Sequence, residues 1–341
     1  MSAALAIARL LDTLEALGTI ARHMHPPRLD ALVASLGDRD AALRAAMADA
    51  EWPEPLREPA ERAGEATLRA CDGLRAAVGS IDGPRQSYRA LRQVSRALEA
   101  LYPLAAVLPT VDRFFLTSDD LSVGPSRSDA PTGVLHAGNE TSERGGFSVY
   151  VPEDYEPSRQ YPLVMALHGG AGHGRLFLWS WLREVRGRGV ILAAPTAIGD
   201  TWSLMDPPLD SGNLLLVVEQ INQRWGLDTS RLLLTGMSDG GTFCYVTGLE
   251  SASPFTHLAP VAATFHPLMA EMADAERLRR LPVYLVHGKL DWMFPVQVAR
   301  QTRGLLSAAG ADVTYRELDD LSHTYPREIN AEILQWLGGE R

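Results

Sequence analysis

Leu232-Leu233-Leu234-Thr235-Gly236-Met237-Ser238-Asp239-Gly240-Gly241 is the stretch whose reading decides the fold. Three leucines run into a turn of small residues, and Thr242-Phe243-Cys244-Tyr245-Val246 follows. A short apolar run bounded by glycine and succeeded by a second apolar segment reads as a buried strand, a sharp turn and a buried helix. Gly236-Met237-Ser238-Asp239-Gly240 fits the G-x-S-x-G nucleophile elbow. A serine at the tip of such a turn has a strained backbone, and the flanking glycines remove side chains that would clash there. The turn also sets the Ser238 hydroxyl over the positive end of the following helix, where negative charge developing on a substrate is stabilised.

Outward from this stretch, strands and helices alternate. Leu163–Leu167 and Val190–Ala194 are short apolar runs of the kind buried on both faces of a parallel sheet. A helix is expected over Asn213–Trp225, then strands at Leu258–Ala262, Val283–Val286 and Val313–Glu317, with helices near Pro295–Ala309 and Arg327–Leu337. Upstream, Gly146–Pro152 follows Val134-Leu135-His136 and alternates as a half-buried edge strand would. This order makes an α/β fold with a mainly parallel sheet, in which functional groups gather beyond the carboxyl ends of the strands.

The N-terminal third reads differently. Ile7, Leu10, Leu11, Leu14 and Leu17 share one helical face, and further helical stretches follow around Leu29–Leu36, Asp40–Glu51, Pro55–Val78 and Pro84–Ala106. Alanine, leucine, arginine and glutamate dominate, so propensity favours helix and the apolar stripes need a covering surface. The expected organisation is an all-helical domain over residues 1–108 and a catalytic α/β domain over residues 109–341. Val111–Leu116 reads as a short strand at that boundary, and Ser118–Gly133 as a connecting loop.

Candidate chemistry lies just after the strands. Leu167-His168-Gly169-Gly170-Ala171-Gly172 follows the first buried run, and its glycines let backbone N–H groups turn toward a bound carbonyl. Gly170 and Asp239 are the two candidate N–H donors for an oxyanion. Asp291, in His287-Gly288-Lys289-Leu290-Asp291, is placed to orient a histidine. His323, in Asp319-Asp320-Leu321-Ser322-His323, is the candidate base for Ser238, because a hydroxyl is a weak nucleophile until a base takes its proton. Among the other histidines, His168 and His287 each precede a glycine and are read as structural, whereas His173 and His266 border the pocket. Trp202 and Trp292, on strand-end loops, are candidates to line an acyl or aryl site.

Composition narrows the classes. With 341 residues, 46% hydrophobic, 22% charged and a formal net charge of -10, the chain is an ordinary globular protein without a nucleic-acid footprint. Lys289 is the sole lysine, which confines Schiff-base chemistry to one position. Two cysteines, Cys71 and Cys244, make no disulfide framework, and His23-Met24-His25 lacks further ligands for a metal. The first residues have no basic leader and no long apolar run, from which neither a signal peptide nor a membrane span is expected, and a cytoplasmic location is.

Over residues 146–341 the chain resembles the bacterial phospholipase/carboxylesterase and poly(3-hydroxybutyrate) depolymerase-like esterases of the α/β-hydrolase superfamily. The resemblance rests on Tyr150-Val151-Pro152, Leu167-His168-Gly169-Gly170, Gly236-Met237-Ser238-Asp239-Gly240-Gly241, His287-Gly288 with Asp291 and Pro295, and Ser322-His323. It implies an α/β-hydrolase fold and a serine carboxylic-ester hydrolase that needs no metal and no organic cofactor. Ser238, Asp291 and His323 stand in the chain order of that superfamily's triad, and a small or medium ester, apolar or aryl, is the implied substrate. The same groups would serve a peptidase, thioesterase or acyltransferase, and a ligand receptor or scaffold on a hydrolase fold is the non-enzyme alternative. Two features depart from the pattern. An acid, Asp239, follows the nucleophile, and the helical domain lies outside the resemblance, as a lid, a surface for homo-oligomers or a partner module.

Overall fold

The computed structural model describes residues 2–118, 120–125 and 128–339. It divides into two compact units, Met1–Asp119 and Asp120–Arg341, a boundary later than residue 108.

The first unit is helical: α1 (Ala3–His23), α2 (Leu29–Ala34), α3 (Arg39–Ala48), α4 (Glu54–Ala77), α5 (Gly83–Leu101) and α6 (Pro109–Phe114). In α1 the Ser2 hydroxyl accepts from Leu5 N–H, and of the expected stripe Ile7, Leu10, Leu14 and Leu17 are buried and Leu11 is half-buried. Small residues let α4 and α5 approach closely. A methyl added at Gly73 would stand 2.8 Å from the Ala90 Cβ. Val111–Leu116, expected as a strand, forms α6 instead, with Pro109 in its first turn. Tertiary packing holds it: Val111 in the helix and Phe115 at its C-cap are inaccessible, and the Phe115 ring meets Tyr102 edge-on at 5.3 Å. That packing carries the helix into the first unit.

The second unit is built on one sheet. Its strands are β1 (Gly133–Ala137), β2 (Phe147–Val151), β3 (Tyr161–Leu167), β4 (Ile191–Pro195), β5 (Leu227–Met237), β6 (His257–Val261), β7 (Pro282–Gly288) and β8 (Asp312–Leu318), in the spatial order β1-β2-β4-β3-β5-β6-β7-β8. β2 pairs antiparallel with β1 and β4, and the pairs from β4 across to β8 are parallel. The helices are α7 (Gly174–Phe177), α8 (Leu182–Val185), α9 (Pro207–Trp225), α10 (Asp239–Gly248), α11 (Pro267–Met272), α12 (Ala275–Leu278), α13 (Val296–Ala308) and α14 (Ile329–Leu337). Every residue of β3 and β4 is buried, the signature of strands covered on both faces. β5 lies beside β3, so the two glycine-bearing turns that follow them emerge next to each other at one end of the sheet.

In this unit β2 and α9 also differ from the sequence expectation. β2, expected as a half-buried edge strand, lies inside the sheet with all five residues buried. Its polar atoms are satisfied internally: Asn139 Nδ2 donates to Ser148 Oγ at 2.8 Å, and the Tyr150 hydroxyl donates to Glu153 at 2.6 Å. α9 starts at Pro207, ahead of the expected Asn213, because proline is tolerated in a first turn, where helix N–H groups have no partner. No helix among the described residues is long and apolar enough to cross a membrane.

Both cysteines are inaccessible, and burial pushes the Cys71 thiol up to about 12 and Cys244 well above its ordinary range. A thiol-specific chromogenic reagent is therefore expected to label neither in the folded protein and both in guanidinium. Rapid labelling of either thiol under native conditions would contradict the packing described.

Candidate active site

The turn from β5 into α10 holds Ser238 at φ 56° and ψ −120°. Such backbone is unfavourable for a side-chain-bearing residue and persists only where its surroundings over-determine it. Here Ser238 N–H donates to Val261 O at 2.9 Å, and Ser238 O accepts from Thr242 N–H at 2.8 Å. The motif glycines admit the rest of the turn. A Cβ on Gly240 would fall 2.4 Å from His168 O, one on Gly236 2.6 Å from the Gly240 backbone, and one on Gly241 2.9 Å from Ala263 Cβ. Strand, turn and helix are therefore in contact through backbone atoms.

Two further loops bring their side chains to this tip. After β7, Asp291 Oδ1 accepts from Met293 N–H at 2.9 Å and Phe294 N–H at 2.8 Å, which fixes the carboxylate. After β8, the chain returns beside that loop: Lys289 N–H donates to Leu318 O at 2.9 Å and Leu290 N–H to Leu321 O at 3.0 Å. Gly288 allows this approach, since a Cβ there would lie 2.2 Å from Leu321 O. His323 then bridges the loops, with Nδ1 2.9 Å from Asp291 Oδ2 and Nε2 3.0 Å from Ser238 Oγ. A carboxylate only accepts, so Nδ1 carries the proton and Nε2 accepts from the serine hydroxyl. All three side chains are buried. A hydroxyl held on an imidazole whose far nitrogen is held by a carboxylate is arranged to lose its proton on attack.

The loop after β3 lies against the same tip. A Cβ on Gly169 would be 3.6 Å from Ser238 Cβ, and one on Gly170 only 2.7 Å from Asp239 Oδ2. His168 pins the loop. Its Nε2 accepts from Ala197 N–H at 3.1 Å, so Nδ1 is the donor to Gly169 O at 2.7 Å.

His173, expected at the pocket border, is buried and serves the loop instead. Nε2 donates toward the carbonyls of Glu140 and Glu143 at 3.1 and 3.0 Å, while Nδ1 accepts from Arg175 N–H at 3.2 Å as the cap of α7. Desolvation holds it below its ordinary pKa of 6.5, although the backbone bonds pull the other way.

The remaining candidates separate. Trp202, expected to line a pocket, is a core residue that is 2% exposed. It stacks on Phe243 at 5.4 Å and donates Nε1–H to His168 O at 2.7 Å. His266 is exposed and caps α11 through Leu268 N–H. Trp292, next to Asp291, is 48% exposed and free to meet a ligand. Among the described residues, no group of three or more His, Cys, Asp and Glu side chains is placed to hold a metal ion.

Two contributors, Thr201 and Asp210, carry no signal in the sequence. Thr201 Oγ1 donates to Asp239 Oδ2 at 2.6 Å across 38 positions, and no local pattern announces such a pair. Asp210, inaccessible in the first turn of α9, accepts from Ile198 N–H at 2.9 Å and Ser203 N–H at 2.8 Å, holding the loop that presents Thr201. Phe294 sets its ring edge-on to His323 at 5.2 Å. His287 Nε2 donates to Phe294 O at 2.8 Å and lies 3.5 Å from Asp291 Oδ2. Both are visible in the sequence, His287 as a structural histidine before Gly288 and Phe294 in the apolar run beside Asp291.

Residues 214–337, a span holding Ser238, Asp291 and His323, match the phospholipase/carboxylesterase family. A bifunctional acetylxylan esterase/xylanase of Neocallimastix patriciarum is 25% identical over 194 residues, which are 55% of this chain. The match spans 27% of that relative's length, about a quarter. Among solved structures, a ferulic acid esterase is 15% identical with a TM-score of 0.51, covering 61% of this chain and 97% of that one. A bifunctional GH43-CE protein of Bacteroides eggerthii is 12% identical with a TM-score of 0.52, covering 62% and 36%.

The contacts of Gly240 make the turn testable without substrate. Gly240→Ala is expected to destabilise the protein by ~2 kcal/mol or more, since neither backbone partner can yield. Gly304→Ala, within α13 where nothing lies within 4 Å, is expected to be neutral or stabilising. Denaturant midpoints compare the two, and equal shifts would contradict the close approach.

Proposed function

We propose that this protein, an α/β-hydrolase by its strand order and its structural likenesses, is a serine carboxylic-ester hydrolase. The observation that carries the reading is the hydrogen-bonded run from Ser238 through His323 to Asp291 at the tip of a positive-φ turn. His323 takes the Ser238 proton as the oxygen attacks the ester carbonyl, and the imidazolium is stabilised by Asp291. The Ser238–acyl bond forms as the carbonyl becomes an oxyanion. When the C–O bond to the alcohol breaks, His323 returns the proton to the departing oxygen. Water then attacks the acyl-enzyme with the same histidine as base, releasing the acid and restoring Ser238.

The backbone N–H groups of Gly170 and Asp239 hold the oxyanion in this mechanism. Asp239 opens α10, where helix amides lack partners within the helix and the dipole favours negative charge. Gly170 adjoins the same tip across from Asp239. The substrate is a small or medium ester with apolar or aryl character. Support comes from the apolar side chains on the two loops flanking the serine: Trp292 and Met293 beside Asp291, and Leu204 and Met205 on the loop carrying Thr201, all exposed. Such surface at a strand end is suited to an organic group rather than to water.

Hydrolysis of p-nitrophenyl esters of increasing acyl length, beside a thioester and a peptide, tests the reading. Turnover is expected on the esters, and Ser238→Ala is expected to lower kcat by about 10³-fold or more without loss of folding. Asp291→Asn is expected to lower it by roughly 10²- to 10⁴-fold, because the imidazole loses its preferred tautomer. A parent protein inactive on every ester, or a Ser238→Ala variant close to the parent, would overturn the assignment.

A further inference from the structure

The acid that follows the nucleophile is held by a neutral partner at the start of α10. Asp239 is half-buried beside Ser238, and Thr201, through a hydroxyl at 2.6 Å, is its side-chain hydrogen-bond partner. A neutral donor softens the charge without cancelling it. Among the described residues, no arginine, lysine or histidine lies within ion-pair distance of this carboxylate. Arg144 is engaged elsewhere. It donates to the carbonyls of Gly172 and Gly199, and the carboxylates that act on it electrostatically are Asp200 and Asp210.

The position of the charge is set by a glycine. Asp239 Oδ2 would be 2.7 Å from a Cβ at Gly170, so the carboxylate occupies space that any side chain there would take. A negative group is therefore seated against Gly170, one of the two proposed oxyanion donors. We infer that Asp239 is a charge filter on the ester site: substrates neutral or cationic beside the scissile carbonyl are accepted, and esters with a carboxylate there are rejected. The inference rests on the esterase reading and narrows its substrate class. The rejection follows from like-charge repulsion, which at ~6 Å and an effective dielectric of about 20 corresponds to roughly ten- to a hundredfold in rate. Thr201 lowers the penalty that the same charge imposes on the oxyanion.

The test compares one molecule with and without its charge. Mono-p-nitrophenyl fumarate and its methyl ester, whose trans double bond keeps the carboxylate from attacking its own ester, present the same acyl chain to the serine, and the quantity read is the ratio of their kcat/KM values, anionic over neutral. Because both rates come from one preparation, the ratio does not depend on the fraction folded. In the parent this ratio is expected to fall well below the ratio of their rates of hydrolysis by hydroxide. Asp239→Asn, which keeps the size and the backbone N–H, is expected to raise it about tenfold or more. Asp239→Ser repeats the comparison with a smaller uncharged group.

Thr201→Val removes the donor and leaves the carboxylate, so its ratio is expected to stay at or below that of the parent. An unmoved ratio in both Asp239 variants would overturn the filter while leaving the esterase reading intact. A rise in Thr201→Val equal to that in Asp239→Asn would assign the effect to loop packing and overturn it as well. Loss of both activities in both Asp239 variants would make the side chain part of turnover itself, again against a filter. A parent that hydrolyses neither ester would remove the esterase reading and the filter together.

Discussion

The left-handed backbone of Ser238 is the constraint on which the rest of the second unit depends. A residue with a side chain adopts φ 56° only under compulsion, and here the compulsion comes from both sides of the turn. β5 fixes the entry by pairing with β3 and β6, α10 fixes the exit, and Val261 O takes the serine N–H in between. No space remains for side chains at Gly236, Gly240 or Gly241, so the turn cannot relax by sliding the helix away from the strand. The strained residue and the close packing are one device. It presents a hydroxyl at the sheet end with its neighbours already in place.

The other loops follow from that geometry. The carboxyl ends of β3, β4, β7 and β8 open on the same edge of the sheet as the end of β5, so each loop adds one part without long-range ordering of its own. The loop after β3 lays glycine beneath Ser238 and Asp239, and His168 and His173 hold it through backbone bonds. The loop after β4 is held by Asp210 and delivers Thr201. The loops after β7 and β8 are stitched by two backbone bonds, and His323 spans them. Asp291 and His323 are each fixed by a second polar contact, which favours holding a reactive geometry without reorganisation.

Much of this was legible in sequence, for a physical reason. Strands covered on both faces are continuous apolar runs, so β3, β4 and β7 stood out, and the chemistry-bearing residues follow strands at short fixed distances. Legibility failed where burial overrode local pattern. Phe147–Val151 alternates because Ser148 and Tyr150 are polar, yet both are buried with hydrogen bonds to Asn139 and Glu153. Val111–Leu116 has strand-like residues but a proline start and a buried helical face. Trp202 looked like a pocket residue because it sits on a strand-end loop, whereas its indole N–H and its ring are both spent on the core. Thr201 offered no signal, since its meaning lies in a partner far along the chain.

The central claim is that Ser238 is a nucleophile activated by His323. Intact-mass and peptide-mass analysis after exposure to a serine-directed fluorophosphonate measures it directly, with no assumption about the natural ester. The geometry predicts one adduct per chain, on the peptide carrying Ser238, formed rapidly in the parent and strongly slowed in His323→Ala. No adduct, an adduct on a different serine, or equal labelling of the His323→Ala variant would contradict the claim.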